Sequence, residues 1–141
     1  SVKPAYAARI FDGSKKYEYR RTIFKRGEVT TVVVYVSQPI GRVIGEFEIG
    51  EILHDEPERL WTKTRNCGGI TRKSFMEYFA NLARGYAIEI REAKKYETPL
   101  RLKELMVSGA PQSFQYLYTL ALGSSDHSAE SADTEGLPAA V

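Results

Sequence analysis

Sulfur and imidazole are scarce in this chain. One cysteine, Cys67, and two histidines, His54 and His127, are all that its 141 residues supply. A lone thiol cannot close an internal disulfide, and two histidines far apart in sequence do not make the ligand spacings of a structural zinc site. No metal and no cofactor are therefore expected. No histidine lies in a motif that would activate Cys67 as a nucleophile, so it reads as a partly buried or incidental thiol. Long apolar runs are missing as well. The longest fall far short of the ~20 residues that span a bilayer, and there is no charged-then-apolar leader with a cleavage site. The expectation is a soluble, cytoplasmic protein without membrane contact.

One domain is enough for this length. A body near ~120 residues buries roughly two thirds of its unfolded surface, which suffices for an ordinary core. Gly123-Ser124-Ser125 opens a stretch of Ser, Ala, Gly, Asp and Glu that has too little apolar surface to offset the entropy of ordering. The expected organisation is a folded domain over 1–122 followed by a disordered acidic tail over 123–141.

The net charge of +2 conceals an asymmetry. The tail holds Asp126, Glu130, Asp133 and Glu135 with no Lys or Arg, and setting those four carboxylates aside leaves the body at +6. Residues 1–26 carry eight basic side chains against Asp12 and Glu18, which accounts for that whole excess. Positive charge gathered at one end of a domain points to an anionic partner, the bland alternative being a solvated basic face.

Periodicity and punctuation predict the elements. Pro4 suits the first turn of a helix with Tyr6, Ala7, Ile10 and Phe11 as its apolar stripe and Gly13 as its stop. Lys16–Arg21 alternates as a strand. Thr30–Val36 is β-branched on both parities and reads as a central strand covered on both faces. From Val43 to Leu53 one parity is apolar and the other exposes Glu46 and Glu48, with Gly45 and Gly50 allowing a bend. Asp55, Pro57 and Glu58 announce a helix carrying Leu60, Trp61 and Thr64. A second helix is expected over Thr71–Leu82, with Phe75, Tyr78, Phe79 and Leu82 on one side. Tyr86–Arg91 alternates as a further strand, a turn is expected at Thr98-Pro99, and Ala110–Leu117 closes the fold. Short strands broken by isolated helices, without regular βαβ alternation, define an α+β class: a small mixed β-barrel with short peripheral helices.

The stretch Gly13-Ser14-Lys15-Lys16-Tyr17-Glu18-Tyr19-Arg20-Arg21 carries the most chemistry. As a strand it places Lys16, Glu18 and Arg20 on one face and Tyr17, Tyr19 and Arg21 on the other. Charges of both signs on one barrel strand either form a surface ladder or line a polar cleft, because burying them unpaired is costly. Lys15, Lys16, Arg20, Arg21, Lys25 and Arg26 can neutralise several phosphates, and a tyrosine between them offers a ring for an unpaired base. Replacing Lys15 or Arg20 by Ala is expected to weaken an RNA complex while leaving the melting temperature nearly unchanged.

At this motif the chain resembles the ASCH family, a branch of the PUA-like superfamily. The matching pattern is a glycine, a lysine and then Glu-x-Arg, here Gly13, Lys15, Glu18 and Arg20, preceded by Lys3-Pro4-x-Tyr6-Ala7. It continues through Val34-Tyr35-Val36 to Pro39, Gly45-Glu46-Phe47, Leu60-Trp61, Gly69-Ile70, Tyr78-Phe79, Tyr86-Ala87-Ile88 and Ala110-Pro111-Gln112-Ser113-Phe114, so it covers about residues 2–117. The resemblance implies a PUA-like barrel and binding of RNA in a basic cleft, in translation-linked or regulatory settings. Carried over by position, the resemblance implies that Lys15, Glu18 and Arg20 line that cleft, with Ser37, Gln38 and Pro39 at one rim and Gln112 and Ser113 at another; Lys16 and Arg21 join them as nucleic-acid-binding candidates by their charge.

The expected function is therefore an RNA-binding domain that holds single-stranded RNA or a nucleotide. The alternatives are a hydrolase acting on RNA or a modified nucleoside, with Lys15, Glu18 and Arg20 as its candidate catalytic groups, or a sensor of a small polar ligand. ASCH relatives that are amidohydrolases pair the motif's lysine with a threonine where Glu18 stands and with a carboxylate just before the second helix. Here that stretch reads Asn66-Cys67-Gly68-Gly69-Ile70-Thr71, with no acid, which argues against that particular activity. A DNA-reading helix is disfavoured too: Arg72, Lys73 and Asn81 lack a helix-turn-helix partner.

Overall fold

A computed structural model describes residues 1–25, 27, 29–105 and the backbone of 116–118 and 136–138. Helix α1 (Pro4–Asp12) begins on a proline in its first turn, where the missing N–H is no loss, and ends at Gly13, whose φ of 86° caps it in the left-handed conformation. Four strands follow among the described body residues: β1 (Tyr17–Arg20), β2 (Thr31–Val36), β3 (Arg42–Asp55) and β4 (Gly85–Leu100). Helices α2 (Pro57–Thr64) and α3 (Arg72–Tyr78) lie between β3 and β4. The strands form one antiparallel sheet in the order β1-β4-β3-β2, and a separate antiparallel pair joins β5 (Tyr116–Tyr118) to β6 (Gly136–Pro138).

The sheet curls into a half-barrel, the α+β architecture with short peripheral helices expected from the sequence. The curl comes from three register shifts between β3 and β4, at Val43/Gly45, Glu46/Glu48 and Ile49/Ile52. Extra residues on one strand of a pair sharpen its local twist and bend. Gly45 sits at such a place, and a side chain there would run into the Phe11 ring and the Lys94 carbonyl. Packing then divides between the two faces. Ala7 and Ile10 of α1 meet Val32, Val34, Val36, Phe47 and Ile88 on one of them. Tyr19, Leu60, Phe75, Phe79 and Ala87 join β1, β4, α2 and α3 into a second cluster. Each large side chain fully withdrawn from water in these clusters stabilises the fold by roughly 1.5–3 kcal/mol.

Three elements differ from the sequence reading. β2 is buried along its whole length, as its β-branched run requires, but it is an outer strand of the sheet rather than a central one. Its free edge is covered by Val2, which pairs in parallel with Val36 and exchanges hydrogen bonds with Tyr35 and Ser37. α3 stops at Tyr78 instead of reaching Leu82. The chain turns at Asn81, which adopts φ 65°, and Leu82 is left 37% exposed. β4 runs through Thr98-Pro99 without the expected turn. Its pairing skips from Lys95 to Leu100 there, so the proline meets no ladder position that needs its N–H. The expected closing segment 110–117 and the boundary near residue 122 lie outside the described residues, apart from the backbone of 116 and 117. No helix among the described residues is long and apolar enough to cross a membrane.

Candidate functional site

Among the described residues β1 pairs with β4 alone, and α1 and α3 contribute to the walls of a space beside it. A cleft of about 380 Å³ opens there, walled by Lys3 and Tyr6 from α1 and its approach, by residues 18–21 of β1 and its end, and by Ser74, Glu77 and Tyr78 of α3. Four cations, Lys3, Lys15, Arg20 and Arg21, meet two carboxylates, Glu18 and Glu77, so the cleft is cationic overall.

The floor is a buried charge cluster. Glu18 Oε1 lies 3.3 Å from an Arg20 nitrogen and Glu18 Oε2 lies 3.9 Å from Lys15 Nζ. The three residues are 7%, 9% and 2% exposed, which places these charges away from the surface ladder that the sequence left open. Glu18 Oε2 has no hydrogen-bond donor among the described residues. Lys15 Nζ instead donates to the Gly68 carbonyl at 2.7 Å and stands over the rings of Tyr19 and Tyr6, at 4.8 and 5.5 Å from their centres. Burial pushes the Lys15 amine below its ordinary range. Glu18 pulls it back up, while Arg20 and Arg9 add to the decrease, and the net direction is down.

A glycine loop grips this motif from behind. The carbonyls of Cys67, Gly68 and Gly69 accept in turn from the Lys16 backbone N–H, Lys15 Nζ and the Arg9 guanidinium. Only glycine fits at two of those positions. A side chain at 68 would collide with the Tyr19 hydroxyl, and Gly69 has φ 65° with its missing Cβ 3.0 Å from Lys15 Cβ. The stretch that lacks an acid in the sequence therefore answers Lys15 with a backbone carbonyl.

The structure brings together Lys15, Glu18, Arg20 and Arg21 of the expected site. Lys16 departs from it: β1 starts only at Tyr17, so the strand parity does not extend back to Lys16, which is exposed beside a separate cavity with Gly13, Glu92 and Ala93. Ser37 and Gln38 sit at the turn after β2 and are not among the cleft's walls. Gln112 and Ser113 lie outside the described residues, as does Arg26. The sequence reading missed Lys3, Tyr6, Ser74, Glu77 and Tyr78. Tyr6 and Tyr78 fall in sequence on apolar helix stripes, and both are half-buried. A tyrosine at the margin of such a stripe, with a hydroxyl that wants a polar neighbour, was the available signal. The low exposure of Lys15 and Arg20 also revises the expectation that changing them leaves stability untouched.

Tyr19 anchors the floor to α2. Its hydroxyl is 2.6 Å from Thr64 Oγ1, and its ring meets Phe75 edge-on at 4.9 Å. Burial raises its pKa from 10.0 to about 12, with the Thr64 hydrogen bond opposing. Between pH 10 and 12 the unfolded tyrosine has lost its proton while the folded one keeps it, so stability falls with rising pH across that window. Tyr19→Phe is expected to flatten part of that alkaline slope in urea melts; an unchanged slope would mean that Tyr19 titrates normally. Lys15 has the opposite sign, because its folded amine binds its proton less readily than the unfolded one, and stability gains as pH rises through its own window below 10.5.

The fold is that of solved ASCH-domain structures, a PUA-like α+β architecture. The crystal structure of ASCH from Zymomonas mobilis superposes with a TM-score of 0.72 at 23% identity, covering 79% of this chain and 80% of that one. The chain belongs to the family described as "Domain of unknown function (DUF365)", which matches residues 1–117. It is also similar to "ASCH domain-containing ribonuclease" of Zymomonas mobilis, 25% identical over 121 residues, with 83% of this chain and 81% of that protein covered. A third similarity is to "Large ribosomal subunit protein uL22" of Ureaplasma parvum, 28% identical over 117 residues. That match covers 83% of this chain and spans only 38% of the ribosomal protein. The resemblance to ASCH domains expected from the Gly-Lys-Glu-Arg motif is met by these matches.

Proposed function

We propose that this chain binds single-stranded RNA, or a nucleotide, in the cleft between α1, β1 and α3. The observation that carries the reading is the meeting of Lys15, Arg20 and Arg21 with the rings of Tyr6 and Tyr78 in one cationic cleft beside β1. Cations supply the sequence-independent hold on phosphate, and rings accept unpaired bases. A relative named as a ribonuclease supports an RNA partner. A cytoplasmic, translation-linked or regulatory setting accompanies the reading.

One observation favours hydrolysis as the second reading. A buried amine whose pKa is depressed, 3.9 Å from a carboxylate, is chemically suited to act as a base.

The test is fluorescence anisotropy of a labelled single-stranded RNA across roughly 50–200 mM salt, followed by a denaturing gel of the same RNA. Binding should weaken with salt. Lys15→Met, which keeps an unbranched apolar shaft but removes the amine, should lower affinity about tenfold or more, the scale of one or two lost charged hydrogen bonds. RNA that stays intact supports binding, and RNA shortened only in the presence of Lys15 moves the hydrolase reading ahead. Absence of binding at low salt defeats the RNA reading and leaves a small polar ligand as the occupant.

A further inference from the structure

Arg21 follows β1 directly, and the sequence alone counts it as one more phosphate-binding cation. Its geometry is more particular. The guanidinium carbon lies 4.4 Å from the centre of the Tyr78 ring, and Nε donates to the Tyr78 carbonyl at 2.8 Å. Tyr78 in turn packs against the buried Phe79 ring at 4.9 Å with an angle of 69°. The result is a layered wall in which Phe79 is innermost, Tyr78 is half-buried and Arg21 is exposed at the lip of the cleft.

An ordinary surface arginine samples many rotamers, and ordering it on a ligand opposes binding. Here the backbone hydrogen bond and the ring already fix the guanidinium plane, so its outer face is available without that penalty. Nucleobases stack on guanidinium planes as they do on aromatic rings, with a cation–π contribution.

We propose that the outer face of the Arg21 guanidinium is a stacking platform for an unpaired base adjacent to the nucleotide held in the cleft. This makes the site two nucleotides long and selects single-stranded over duplex RNA, because a base within a helix has no free face to offer. The inference rests on the RNA reading above and adds a second subsite to it.

The experiment uses the full chain and short single-stranded RNAs in which 2-aminopurine, a fluorescent base quenched by stacking, is moved along the sequence. Wild-type protein should change the quench at one position, prefer the single strand to its duplex, and lose affinity with salt. Arg21→Lys preserves the charge but removes the plane. It should abolish the quench and lower affinity roughly fivefold or more, the lower end of what a stacked base contributes, while the salt slope stays the same. Circular dichroism of the variant should match wild type, since the side chain is exposed. Wild-type binding with no positional quench overturns the platform and leaves the RNA reading standing. So does equal affinity of Arg21→Lys, or equal binding of the duplex. Failure of the wild-type protein to bind any RNA at low salt overturns both.

Discussion

Glu18→Gln should lower the free energy of unfolding by about 3–5 kcal/mol, the scale of removing one partner from a buried ion pair. The Glu18 side chain is 9% exposed between Arg20 at 11% and Lys15 at 3%. Glutamine keeps the shape and deletes the negative charge, which leaves two buried cations facing each other across an amide. Typical domains are stable by only about 5–15 kcal/mol, and at ordinary urea slopes the variant should unfold at a urea concentration lower by roughly 1–5 M. Glu18 also pulls the Lys15 pKa upward, and without it that amine should titrate lower still. Adding Lys15→Met to Glu18→Gln should recover part of the loss, because it removes one of the stranded charges. A loss below about 1 kcal/mol would show the cluster to be as weak as a surface pair.

Gly68→Ala is expected to cost about 2–3 kcal/mol, toward the upper end for overpacking a core. The added methyl would collide with the Tyr19 hydroxyl. Tyr19 has little freedom to yield: it is buried, bonded to Thr64, and packed against Phe75 and Phe79. Moving the loop instead would shift the Gly68 carbonyl away from Lys15, so affinity for RNA should fall together with stability. Tyr19→Phe opens the contested space by removing the hydroxyl. The double variant Tyr19→Phe, Gly68→Ala should therefore be less destabilised than the two single losses combined, and strict additivity would place the collision elsewhere.

The legible parts of this fold were those written in local chemistry. Pro4 and Gly13 bracket α1, the β-branched run is a strand buried on both faces over Thr31–Val36, and the alternation from Val43 reads directly as β3. What escaped depended on distant partners. A fully buried strand looks central, yet β2 is an outer strand, buried because Val2 covers its edge, Val32, Val34 and Val36 pack with α1, and Val33 and Tyr35 pack with Val43, Tyr96 and Leu100. The end of α3 is set where the chain reverses at Asn81, and no glycine or proline marks that point. The candidate site divides in the same way. Lys15, Glu18 and Arg20 stood out as a local motif. Tyr6, Tyr78 and the Gly68 carbonyl become neighbours of Lys15 or Arg21 only after α1 and α3 have packed on either side of β1.

The loop behind Lys15 also supplies a native reporter. Cys67 is the chain's sole thiol, and its carbonyl holds the Lys16 amide one residue before the carbonyl that holds the Lys15 amine. A small trifluoromethyl tag on that sulfur would sit at a single defined point next to the charge cluster. Its fluorine resonance would register occupancy of the cleft from the protein's side, with no engineered cysteine and no label on the ligand.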